Sequence, residues 1–284
     1  MAITLELNES GELRIRQELQ RPAVYLDHWA VRLFAEDLDL QDRFIAALHR
    51  SKGTWLFSTA NLMEYTAMSD LEQAAAAERL LSRAMPAMHL ADLTLDPGYL
   101  NEEGAPLHAD APQREWMLVD LVDRAKIAGG VINTHRFIQE AIKNRDTLLI
   151  LLQELKKFVA TSIMSLTQDT HQNTRAKKFK PTSDMSMRVA LCGELLREPH
   201  IDTKHAFDEN DTMDFLHSIS VLVCDFVLLD AHWCHKVERA AVRIRKGGVS
   251  GNVARCFSKK HLNEFLSVLE ELGESTTGSG RRHD

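Results

Sequence analysis

Two aspartates close short apolar runs just where helical spacing takes over: Asp27 in "AVYLDHWAVRLF" and Asp230 in "DFVLLDAHW". An acid at such a junction lies at the carboxyl end of a strand, the edge where open α/β sheets gather ligands and catalytic groups. Neither follows the charge pattern of a solvated helix face. A carboxylate in apolar surroundings is costly unless something cationic meets it. Three further acids belong to elements that would end at the same edge. Glu64 lies in the first turns of the helix after "TWLFS", and Asp211 and Asp214 open the helix before the strand that carries Asp230. Crowded carboxylates repel each other unless a divalent cation sits among them. An oxygen-only ligand set suits Mg²⁺ or Mn²⁺. An ion held there can activate water and stabilise the charge on a phosphodiester.

The elements that must position these acids alternate in type. "ITLELNESGELRIR" reads as two alternating strands around Asn-Glu-Ser-Gly, a small hairpin within residues 1–20. "AVYL", "TWLFS", "FVLL" and "VARCFS" read as strands. Helical periodicity fills "DLDLQDRFIAALHRS", "TANLMEYTAMS", "LEQAAAAERLLSRAM", "AHWCHKVERAAVRIRK" and "KKHLNEFLSVLEEL". This rhythm predicts an α/β fold, a mainly parallel sheet of about four or five strands with helices on both faces. Breakers at Pro97, Gly98, Gly104, Pro106 and Pro112 mark a loop from Asp92 to about Gln113, and long helical patterns follow. The part from about residue 100 to 200 reads as a helical insertion in one domain spanning 21–272. "GESTTGSGRRHD", residues 273–284, reads as a disordered tail.

Composition sets outer bounds. With 284 residues, 44% hydrophobic and 26% charged, the chain has the make-up of an ordinary globular protein with a substantial core. A net charge of -7 argues against nucleic acid held by overall charge, but not against a nuclease, whose clustered acids lower the total while local basic patches guide phosphates. No apolar run approaches the roughly 18 residues of a membrane span. The N-terminus alternates and carries charges, unlike a signal peptide. Cys192, Cys224, Cys234 and Cys256 form no CxxC pair, so reduced thiols in a cytoplasmic protein without membrane contact are expected.

"VYLDHWAVRLF", "STANLMEY" and "NDTMDFLHSISVLVCDFVLLDAHW" resemble, in order, the three acidic motifs of PIN-like nucleases. The resemblance covers the flanks, roughly residues 22–90 and 205–272; the central helices have no counterpart. It implies a parallel sheet between helices and Mg²⁺- or Mn²⁺-dependent endoribonuclease activity. Asp27 matches the family's first acid, Glu64 the second, Asp214 the third and Asp230 the fourth, with Asp211 beside them as a further metal ligand. Leu229 departs from the pattern, because the family often has threonine there. Asp225 matches an aspartate at the strand's other end, away from the metal. As partners the resemblance implies nucleic acid, RNA first, a protein inhibitor or antitoxin, and homo-oligomers.

Plainer readings stand beside these. Asp211 and Asp214 have the spacing of a helix capping box, as do Asn61 and Glu64. Among the nearby histidines, His232 and His235 share a helix face, and His28 cannot be placed with them. His217 reads as a hydrogen-bond partner near Asp214 or as a substrate contact. "RAKKFKP", with Arg175, Lys177, Lys178 and Lys180 around Phe179, is either a phosphate-binding patch or a solvated loop. Arg243, Arg245 and Lys246 make a second basic run before a glycine-rich turn that lacks the Walker ending. Two rival functions use the same residues: a non-catalytic RNA- or protein-binding scaffold, and a DNA nuclease.

Overall fold

The computed structural model of the chain describes residues 2–7, 9, 11–67, 70–91, 145–202 and 207–278, with residues 123, 125–127, 129 and 143. Strands β1 (Ile3–Leu7) and β2 (Leu13–Gln17) form the expected antiparallel hairpin. Five parallel strands make the main sheet: β3 (Ala23–Leu26), β4 (Thr54–Ser58), β5 (Met88–Ala91), β6 (Phe226–Leu228) and β7 (Arg255–Phe257). Their order is β5-β4-β3-β6-β7. The chain therefore builds outward from β3 in one direction and later returns to build outward in the other. The crevice at the carboxyl ends of β3 and β6 is the topological switch point of such a sheet.

Alternation along β3 assigns the two faces. Val24 and Leu26 point into a core made with α1 (His28–Glu36), α2 (Leu38–Arg50), α4 (Leu71–Ala84) and α10 (Leu262–Gly278). Ala23 and Tyr25 point into a second core. That core is covered by α5 (Arg145–Gln168), α7 (Met187–Ile201), α8 (Asp211–Ser218) and α9 (Ala231–Lys246). Two shorter helices complete the described set, α3 (Thr59–Ala67) and α6 (Thr170–Lys177).

The central helices, expected as an insertion in the α/β domain, also cover the sheet: Ala160, Ile163, Ala190, Leu191 and Leu195 bury the same face as Tyr25 and Val227. A parallel sheet needs both faces covered, and these helices are one of its two layers. Strand β5, "MHLA", was not foreseen; its outer edge is met by Gln17, whose amide donates to the Leu90 carbonyl and accepts the Leu90 N–H. The start of the basic stretch, read as a loop, is helix α6, capped by Asp169 on the N–H of Gln172. Helix α10 continues through Gly278, so only residues 279–284 of the expected tail lie outside the described residues. The loop at 92–113 and the first long helical pattern after it also fall largely outside them.

Candidate metal centre

Asp27 and Asp230 leave their strands with nearly the same backbone, φ -64° and ψ 162° against φ -60° and ψ 162°. Each then starts a helix from the cap position, yet the two side chains are used differently. Asp230 accepts the N–H of Trp233 at 2.8 Å, an ordinary N-cap. Asp27 caps neither the second nor the third N–H of α1, takes only the backbone N–H of its neighbour His28, and is 5% exposed. Its own N–H continues the ladder to the Leu228 carbonyl at 2.9 Å, which fixes it between β3 and β6.

Glu64 reaches the same place because α3 is tied to the sheet end. The cap and capping residues are Ser58 and Asn61 rather than the expected Asn61 and Glu64. Asn61 Oδ1 accepts the Ser58 N–H at 3.0 Å, and the Asn61 N–H donates to Ser58 Oγ at 3.3 Å. Asn61 Nδ2 also donates to the Leu26 carbonyl at 2.9 Å, lashing α3 to the end of β3. Glu64, released from capping, turns one oxygen to His217 Nε2 at 2.7 Å.

His217 was expected as a hydrogen-bond partner near Asp214 or as a substrate contact. It is 0% exposed, its hydrogen bonds go to Glu64 and Tyr25, and the charge of Asp214 is also felt there. Nδ1 lies 2.5 Å from Tyr25 Oη, which lies 2.8 Å from Ser58 Oγ. Nε2 faces Glu64 and stands 3.8 Å from Asp27 Oδ1. One ligand atom from each of Asp27, Glu64 and His217 lies within 4.8 Å of the others. Two donors about 2.1 Å from one octahedral ion sit about 3.0 Å apart when adjacent and about 4.2 Å when opposite. The 2.7 Å between Nε2 and Glu64 is a hydrogen-bond distance, shorter than either, so the three side chains could hold an ion between them once that bond opens. His28 Nδ1 stands 3.9 Å from Glu64, so it is nearer the cluster than its sequence position suggested.

Asp214 and Asp230 form a second set beside the first. Their carboxyls share a hydrogen bond, and Asp214 is pushed up to about 7 by burial and then by the charges of Asp230 and Asp27. Burial, with Glu64 and Asp230 adding to it, raises Asp27 to about 6 against the opposing pull of His217. Burial alone would lower His217, but Glu64 and Asp27 outweigh it and bring the imidazole up to about 9. Burial would likewise raise Glu64, and His217 more than reverses it, with His28 and Lys156 helping. Lys156, half-buried on α5, is a cation at the site that no sequence motif announced.

The remaining expected residues go elsewhere. Asp211 does not cap α8, whose cap position is Asn210; its carboxylate accepts the N–H of Asp208 at 2.9 Å and faces Lys236 of α9. Asp225 takes the Ala23 N–H at 2.7 Å and pairs with Arg21 at 3.0 Å, at the opposite sheet end as expected. Leu229 is buried core. The basic run Arg175, Lys177, Lys178 and Lys180 is fixed to the far part of α9, because the Phe179 carbonyl accepts from Arg243 at 2.7 Å. Arg243 is thirteen residues along from Asp230, which at 1.5 Å per residue is roughly 20 Å from the acids. Among the described residues, no helix is long and apolar enough to cross a membrane. Comparison with protein-family models, with curated proteins and with solved structures finds no match for this chain.

Proposed function

We propose that this chain is a cytoplasmic, divalent-metal-dependent nuclease that cleaves phosphodiester bonds, with RNA as its substrate. The observation that carries this reading is the convergence of Asp27, Glu64 and His217 donors within 4.8 Å at the switch point of a parallel sheet. The order of acids along the chain, which resembles that of PIN-like nucleases, supports it. Asp27, Glu64 and His217 would hold the ion. A divalent ion there supplies activation of water and neutralisation of phosphate charge. Asp214, raised by burial and by the charges of Asp230 and Asp27, is suited to carry a proton and pass it to the leaving oxygen. Lys156 offers its ammonium to a non-bridging phosphate oxygen.

The test is cleavage of labelled RNA and DNA pools by purified protein with Mn²⁺, with Mg²⁺ and with chelator. Metal-dependent cleavage of RNA is expected; cleavage of DNA alone would reassign the substrate, and no cleavage of either would end the reading. A second reading has its own observation. As an imidazolium, His217 already neutralises Glu64 from inside the protein at 2.7 Å. A scaffold stabilised by that internal cation would need no metal and would bind RNA or protein without cutting it.

A further inference from the structure

We propose that His217 is itself a ligand of the metal, through Nε2, so that the centre has a mixed nitrogen–oxygen donor set and selects a first-row transition ion over Mg²⁺. This inference rests on the metal site of the reading above, though not on the nature of its substrate.

The hydrogen-bond chain behind the imidazole fixes which nitrogen is available. Asn61 Nδ2 must face the Leu26 carbonyl, a pure acceptor, which leaves Oδ1 to receive Ser58. The Ser58 hydroxyl then donates to Asn61 Oδ1 at 3.1 Å. The Tyr25 hydroxyl donates to Ser58 Oγ, and Tyr25 Oη is left to accept from His217 Nδ1. An imidazole whose Nδ1–H is held by an oxygen acceptor presents Nε2 as its free lone pair in the neutral form. That is the arrangement by which outer hydrogen bonds orient metal-bound histidines. Nε2 is aimed at Glu64 Oε2 and Asp27 Oδ1, the two oxygens an ion would share with it.

Asp27 supplies the independent observation. It is buried, it withholds its carboxylate from the helix cap, and no side chain among the described residues donates a hydrogen bond to it. Nε2 at 3.8 Å is too far to do so. A buried carboxylate that keeps an oxygen toward a histidine nitrogen, outside hydrogen-bond reach of it, offers a second donor to an ion between them. Imidazole nitrogen favours transition ions, whereas Mg²⁺ prefers oxygen ligands and retains its waters.

The test uses the full chain loaded with Mn²⁺, prepared with natural-abundance and with ¹⁵N-labelled histidine, and read by pulsed electron paramagnetic resonance. Nitrogen coupling that changes with the histidine label is expected, together with Mn²⁺ binding at least about 10-fold tighter than Mg²⁺ by calorimetry. His217→Gln should lose the coupling and about 10- to 100-fold in Mn²⁺ affinity. If that buried substitution fails to fold, the labelled native protein still decides. Bound Mn²⁺ without histidine coupling overturns the inference even if RNA is cut, and no Mn²⁺ binding overturns it too. Histidine-coupled Mn²⁺ in a protein that cuts neither RNA nor DNA sustains it while ending the nuclease reading.

Discussion

A strand-end aspartate can spend its charge on a helix N-terminus or keep it for something else, and Asp230 and Asp27 show the two options in one sheet. Withholding the cap leaves Asp27 without that compensation, and burial raises it to about 6. A folded-state value above the unfolded one means that protonated Asp27 favours folding at low pH, and that this contribution disappears as pH rises through about 6. Asp27→Asn should therefore stabilise the metal-free protein at about pH 8, by roughly 1–3 kcal/mol on the scale of a two-unit shift. The gain should be smaller at about pH 4, where folded Asp27 is largely protonated and the unfolded carboxyl is near its midpoint. Urea unfolding in chelator at the two pH values reads the difference, and an equal effect at both would contradict the assignment. In the same variant, cleavage with Mn²⁺ should drop at least about 100-fold. Asp27 was legible because an apolar run ending in an acid has few structural explanations. His217 was not, because its partners Glu64 and Tyr25 lie 153 and 192 residues away, and Tyr25 in sequence looks like any core residue of a strand.

At the scale of elements, the junction of β4 and α3 decides whether Glu64 arrives. Asn61 is fully buried and serves three ends at once: the Ser58 backbone, the Ser58 hydroxyl and the Leu26 carbonyl. Asn61→Ala would leave the Leu26 carbonyl and the Ser58 N–H without partners in a dry place. Unsatisfied buried groups cost about 1–3 kcal/mol, which a shift of the urea midpoint at unchanged slope would show. Glu64→Gln, in contrast, should leave the midpoint within about 1 kcal/mol and remove a metal ligand. Equal destabilisation by the two substitutions would mean that Asn61 is no special anchor. The same junction shows where sequence patterns mislead. Spacing pointed to Asn61–Glu64 as a capping pair, and the end of β4 at Ser58 puts the cap three residues earlier. Strand β5 escaped notice because "MHLA" has four residues, none β-branched, directly after a helix and a Pro-containing turn. Helix α6 escaped because "THQNTRAK" has almost no apolar face, and its order comes from the Asp169 cap and from packing on α7.

Over the whole molecule, the central helices carry the second layer of the sheet and bring a lysine to the acids, while the basic run travels to the other end of α9. Arg243 holds that end, gripping the fully buried Glu194 at 2.8 and 2.9 Å and the Phe179 carbonyl. Gly247 follows, where a side chain would run into the Pro181 carbonyl. The sequence showed the basic run but neither Lys156 nor the distance between the two, because the tether is made by residues that are distant in the chain. The separation gives the two sets different duties. A strand of nucleic acid rises about 3.4 Å per nucleotide, so roughly 20 Å corresponds to about six nucleotides. Replacing Lys177, Lys178 and Lys180 together by glutamine should weaken binding of a single-stranded RNA of about twenty nucleotides. Its log–log salt slope should fall by about 2, from three lost phosphate contacts at about 0.7 each. Cleavage of a tetranucleotide, too short to reach them, should be unchanged. Lys156→Gln should slow cleavage of both substrates, because Lys156 acts where Glu64 is. If the triple substitution slows the tetranucleotide as much as the long RNA, the basic run lies over the acids and α9 is not the spacer between them. If it changes neither the affinity nor the salt slope of the long RNA, the run is a solvated surface and the substrate leaves the acids by another path.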